Sequence, residues 1–71
     1  MRILELQELA KERGYDSLRF RFKTFFGTEK TGKWEDAYLG LFKVDGSSGI
    51  CSVSGWREFF RDELFEFEVI D

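Results

Sequence analysis

Between Leu18 and Lys23 the chain alternates strictly, with Leu18, Phe20 and Phe22 in one set of positions and Arg19, Arg21 and Lys23 in the other. Successive side chains of a strand point to opposite faces, so this pattern describes a half-buried strand with a basic outer surface. The spacing predicts a strand over residues 17–26. A strand with one apolar face needs something to bury that face against, and the flanking segments supply it.

Residues 2–13 carry Ile3, Leu6, Leu9 and Ala10 on one stripe at helical spacing. Glu5 and Glu8 come early and Lys11 and Arg13 late, which complements the helix dipole. Gly14 is the expected stop, with Tyr15 folding back toward Ala10. Residues 27–33, GTEKTGK, read as a polar loop, and residues 36–45 as a second strand that is apolar on both faces over its middle. Asp45 to Gly49 is a turn, and Ile50 to Val53 a short third strand. Ser54 is the expected N-cap of a second helix carrying Trp56, Phe59, Phe60 and Leu64 at helical spacing. Residues 65–70, FEFEVI, alternate again and predict a last strand. The reading is a small α+β domain spanning residues 1–71, ordered α-β-β-β-α-β, with an antiparallel sheet and helices packed on one face. No linker, repeat or proline divides it.

At 71 residues the chain has room for one small domain. Such domains bury only about 60% of the surface that the unfolded chain exposes. Nine Phe, two Trp and two Tyr are a heavy aromatic load for so thin a core. Surplus exposed apolar area marks an interface, so the first functional expectation is a non-enzymatic module that binds another protein or itself. The chain has no His, the commonest general base and transition-metal ligand, and its one Cys cannot form an internal disulfide. No catalytic residue, metal or cofactor is expected. No stretch approaches a membrane helix, since the longest apolar run, Ala37 to Phe42, is interrupted by Gly40. Arg2 is soon followed by Glu5 and Glu8 without a long apolar region, which is not a signal peptide. A free thiol and no targeting segment fit the cytoplasm.

Charge is unevenly placed. Residues 1–33 hold eight Lys/Arg against five Asp/Glu, whereas residues 34–71 hold three against nine. This asymmetry suits two halves that lie against each other. If the last strand lies beside the first, Glu66 and Glu68 oppose Arg19, Arg21 or Lys23 as cross-strand pairs. If it does not, Arg19, Arg21, Lys23, Lys30 and Lys33 form a basic patch. That is the alternative expectation, a nucleic-acid-binding domain working through phosphate contacts. Phe20 and Phe22 would not stack on bases there, because the alternation puts them on the opposite face.

Other motifs carry less. Gly27-Thr-Glu-Lys-Thr-Gly-Lys33 nearly matches the phosphate-binding loop G-x-x-x-x-G-K-[ST]. Trp34 stands where the magnesium-binding hydroxyl belongs, and no helix follows. The neighbours Glu35/Asp36, Asp62/Glu63 and Glu66/Glu68 read as solvated acids. Cys51 has no imidazole to activate it and reads as a small core residue. Trp56 opens an apolar helix and belongs in the core. Trp34, between a polar loop and two acids, is expected to be partly exposed and is the candidate contact for a protein partner.

The order helix, three strands, helix over residues 2–63 resembles the double-stranded-RNA-binding domain in topology and length. In that family a lysine cluster opens the second helix. Here the matching stretch is Ser54-Gly-Trp-Arg-Glu58, followed by Asp62 and Glu63. The resemblance therefore implies shared architecture rather than shared RNA binding.

Overall fold

The computed structural model describes residues 1–24 and 26–70. Helix α1 (Ile3–Arg13) opens the chain, and strands β1 (Arg19–Lys23), β2 (Glu29–Asp36), β3 (Leu41–Val44) and β4 (Cys51–Ser52) follow. Helix α2 (Val53–Phe59) and strand β5 (Glu68–Val69) complete it. Short 3-10 turns at Tyr15–Ser17 and Asp62–Leu64 precede β1 and β5. The five strands form one antiparallel sheet in the order β4-β3-β2-β1-β5.

The α+β class, the antiparallel sheet and the helices on a single face stand as expected. Phe20 and Phe22 of β1, Trp34 of β2 and Phe42 of β3 share one buried cluster with Ile3, Leu6 and Ala10 of α1 and Val53 and Trp56 of α2. Phe20 sits at its centre, with its ring centroid within 6.4 Å of those of Phe22, Trp34, Phe42 and Phe67. The other sheet face is open and charged.

Several boundaries differ from the expectation. The segment read as a loop, residues 27–33, is mostly strand, because β2 begins at Glu29. The segment read as one strand, residues 36–45, is a turn followed by β3. Asp36 makes that turn: its carboxylate accepts from the backbone N–H of Tyr38 at 3.1 Å and of Leu39 at 3.2 Å, and Gly40 supplies φ +70°. Gln7 of α1 donates to the carbonyl of Ala37 at 2.7 Å and fixes the turn beneath the helix. Four strands therefore separate the two helices, so the three-strand order behind the likeness to the RNA-binding domain is not the order of this chain. Ser52, not Ser54, caps α2, its hydroxyl accepting from the N–H of Gly55 at 3.0 Å. That helix ends at Phe59, so Leu64 lies in a separate 3-10 turn. The first strand is shorter than residues 17–26, and Phe25 lies outside the described residues.

β5 is short for a visible reason. The segment before it is held elsewhere: Phe67 exchanges backbone hydrogen bonds with Met1, at 2.9 Å and 3.0 Å, and the Arg2 guanidinium donates to the Phe65 carbonyl at 2.6 Å. Glu66 pairs with the Met1 ammonium at 2.8 Å and with Arg2 at 3.2 Å.

Candidate interaction site at the free end of the first strand

The last strand does lie beside the first. The β1–β5 ladder pairs Phe20 with Val69 and Arg21 with Glu68, then stops. The Arg21 guanidinium gives two hydrogen bonds to Glu68 Oε2, at 2.9 Å and 2.7 Å. Glu68 thus takes the cross-strand role expected of it. Glu66 does not, because the chain start claims it.

β1 outruns β5 by two residues, Phe22 and Lys23. Backbone groups on a strand turn alternately to either side. The Ile70 N–H donates to the Arg19 carbonyl, and Arg21 faces Glu68, so the odd-numbered residues of β1 turn toward β5. Lys23 is the next of that set. Its N–H and C=O point away from β2 and meet no partner among the described residues. They open on a groove of about 460 Å³. Phe22, Lys23 and Thr24 form one side of the groove, and Leu64 and Glu66 the other.

Apolar surface gathers at this end. Leu64 is 55% exposed, and Phe59 and Phe60 just before it are exposed at 78% and 51%. Phe26, in the turn that follows Thr24, is 90% exposed. Phe60 stacks on Trp56 at 4.7 Å between centroids and meets the edge of Phe65, which in turn meets Phe22. An aromatic chain therefore runs from the core to this surface. α2 is only seven residues long, so it buries Val53 and Trp56 but leaves Phe59 off the sheet. Sequence reasoning placed Phe59, Phe60 and Leu64 on one core-facing helix. The break at Phe60, which no glycine or proline announces, is what exposes them.

Trp34, the residue expected at an interface, is 2% exposed. It lies opposite Phe42 in the middle of the sheet, and its indole packs on Phe20 and Phe42. Its acidic neighbours are accommodated by a register shift between Trp34 and Asp36. The expected exposure is thus corrected. Trp56 is in the core as expected, and its Nε1 donates to Asp62 at 3.2 Å.

The basic residues are divided. Arg19, Arg21, Lys23 and Lys33 share the open sheet face, but Lys30 is opposite Phe22 and belongs to the other face. Arg19 is paired with Asp45 at 3.0 Å and Arg21 with Glu68. Lys43, directly opposite Lys33, joins the face although the sequence reading passed it over.

Cys51 is half-buried at the edge of the core, and burial pushes its thiol above the ordinary value. No group of three metal-ligating side chains occurs among the described residues. No described helix is long and apolar enough to cross a membrane. Compared with known proteins, the chain matches no family model, no curated sequence and no solved structure.

Proposed function

We propose that the protein is a non-enzymatic interaction module that binds an extended segment of another protein as an added strand along the free end of β1. The observation that carries this reading is the backbone of Lys23, without a partner among the described residues and opening on a groove beside exposed Leu64. Strand addition takes its affinity from main-chain hydrogen bonds and its selectivity from pockets for alternate side chains. The register continues to Phe67 opposite Phe22, with ring centroids 5.0 Å apart, so the added segment begins opposite Lys23, and the side of it that faces Leu64 is apolar. The residue opposite Lys23 points to the open face, where Glu29, Glu66 and Glu68 line the groove along with Arg21 and Lys23, and is polar.

Two further observations support an interaction role over catalysis. Phe26, Phe59 and Phe60 remain exposed, so the aromatic load does exceed what the core hides. Glu66 is held by Met1 and Arg2, Glu68 by Arg21, and burial raises the Cys51 thiol above its ordinary value. A reduced thiol suits work in the cytoplasm.

The test is selection from a random peptide library, followed by amide-shift mapping of the winning peptides on the labelled protein. Winners should alternate apolar and polar residues and shift the amides of Phe22 and Lys23. Leu64→Asp should lose them while keeping the wild-type melting midpoint, since Leu64 is exposed. Peptides that bind both proteins equally, or that map to another surface, overturn the proposal.

A further inference from the structure

On the open face of the sheet, Arg19, Lys33 and Lys43 stand in one row across three strands, Arg19 opposite Lys33 and Lys33 opposite Lys43. All three side chains are exposed. Directly opposite side chains leave the backbone about 5 Å apart at Cβ, and like charges there repel. A sheet ordinarily alternates such positions with acids. Glu35 follows Lys33 by two residues and Asp45 follows Lys43 by two, and neither forms an ion pair with those lysines. Asp45 Oδ2 accepts from Arg19 at 3.0 Å and from the Thr31 hydroxyl. Glu35 lies at the register shift between Trp34 and Asp36 and has no paired position opposite it. Neither Lys33 nor Lys43 makes an ion pair with a described residue.

We propose that this row is an oxyanion site in which a phosphate group bridges the ammonium groups of Lys33 and Lys43, with Arg19 at one end. A phosphate carries close to two negative charges and offers several acceptor oxygens, matching two ammonium groups of three donors each. A single carboxylate balances only one of them. The site holds phosphate without reading a base, since the strand positions on this face are charged or polar apart from Leu41 and present no aromatic ring for stacking. The source is either a small phosphorylated ligand or a nucleic-acid backbone.

Pyrophosphate and single-stranded DNA, titrated separately at low salt with a chloride control of equal ionic strength, test the proposal. The readouts are the melting midpoint and the side-chain NMR signals of Lys33 and Lys43. One or both anions should raise the wild-type midpoint above the chloride control and shift both lysine signals. Lys33→Gln or Lys43→Gln should each weaken binding about tenfold, the loss of one charge-assisted contact. Without added anion, Lys43→Gln should raise the midpoint, because it removes the repulsion. A structural role for that lysine would lower it. A response to pyrophosphate alone assigns a small ligand, and a response to DNA alone assigns a phosphodiester backbone. No response to either, or an equal response from the double variant, overturns the site.

Discussion

The ring of Phe20 lies across Gly32, the residue directly opposite it on β2. A Cβ at position 32 would stand 2.8 Å from Phe20 Cζ and 2.5 Å from the carbonyl oxygen of Lys43. The first of these could yield by moving a ring, but the second is backbone in the neighbouring strand. Gly32→Ala should therefore destabilise the fold by about 1–3 kcal/mol, as overpacking does in other cores. Urea denaturation checks it, and an unchanged midpoint would mean that β2 and β3 can part without cost.

The two tryptophans, similarly buried, should respond differently to the same change. Trp56 Nε1 donates to Asp62, whereas Trp34 Nε1 is buried with no hydrogen-bond partner among the described residues. Trp34→Phe removes an unsatisfied donor along with ring volume. Trp56→Phe removes ring volume and a hydrogen bond. The second variant should be the less stable by about 1 kcal/mol, a typical net value for such a bond. Equal losses in denaturant titrations of the pair would contradict this.

Acid should loosen the join between the start of the chain and the segment before β5. The hydrogen bond from the Met1 ammonium, with its charge, holds the Glu66 carboxyl below the usual range, and Arg2 adds to this. A carboxyl whose folded value is depressed stabilises the fold fully above its unfolded value. That contribution disappears as pH falls through the lower, folded value. Wild type should therefore be more stable than Glu66→Gln at neutral pH, and the gap should close below the ordinary carboxylate range. Salt should narrow it as well, since Glu66 is exposed. Melting midpoints of the two proteins across acid pH decide the matter, and a gap that stays constant would exclude the carboxylate as its cause.

Cys51 should alkylate slowly. Desolvation raises its pKa, so the thiolate fraction at neutral pH is smaller than that of a free cysteine. Iodoacetamide labelling followed by mass spectrometry should show slower modification in the native protein than in the urea-unfolded one. Equal rates would place the thiol in water.

What the sequence made legible followed from strict periodicity. Leu18 to Lys23 alternates because one face of β1 is core and the other solvent, and both α1 and the cross-strand partnership of Glu68 with Arg21 could be read from spacing. The second strand was hidden because its inward positions are Lys30, Gly32 and Trp34. Only Trp34 is apolar; the ring of Phe20 fills the space over Gly32, so the strand's core contact is donated by its neighbour. The turn at Ala37 to Gly40 was hidden for the opposite reason, since it carries Tyr38 and Leu39, apolar residues left in solvent. The candidate site was illegible because it depends on where two strands stop. Nothing local to Lys23 announces that its partner strand ends at Glu68.

The sheet order also fixes a sequence of events. β1 to β4 are joined by short hairpin connections, whereas Arg21 meets Glu68 across 47 residues of chain. Pairing over such a span costs more loop-closure entropy than any of the hairpins does, which delays it. During synthesis the phenylalanine-bearing β1 therefore waits, with one edge unpaired, until β5 has emerged. The salt bridge that closes the sheet is then among the last contacts formed, and its loss should show in the unfolding rate more than in the folding rate.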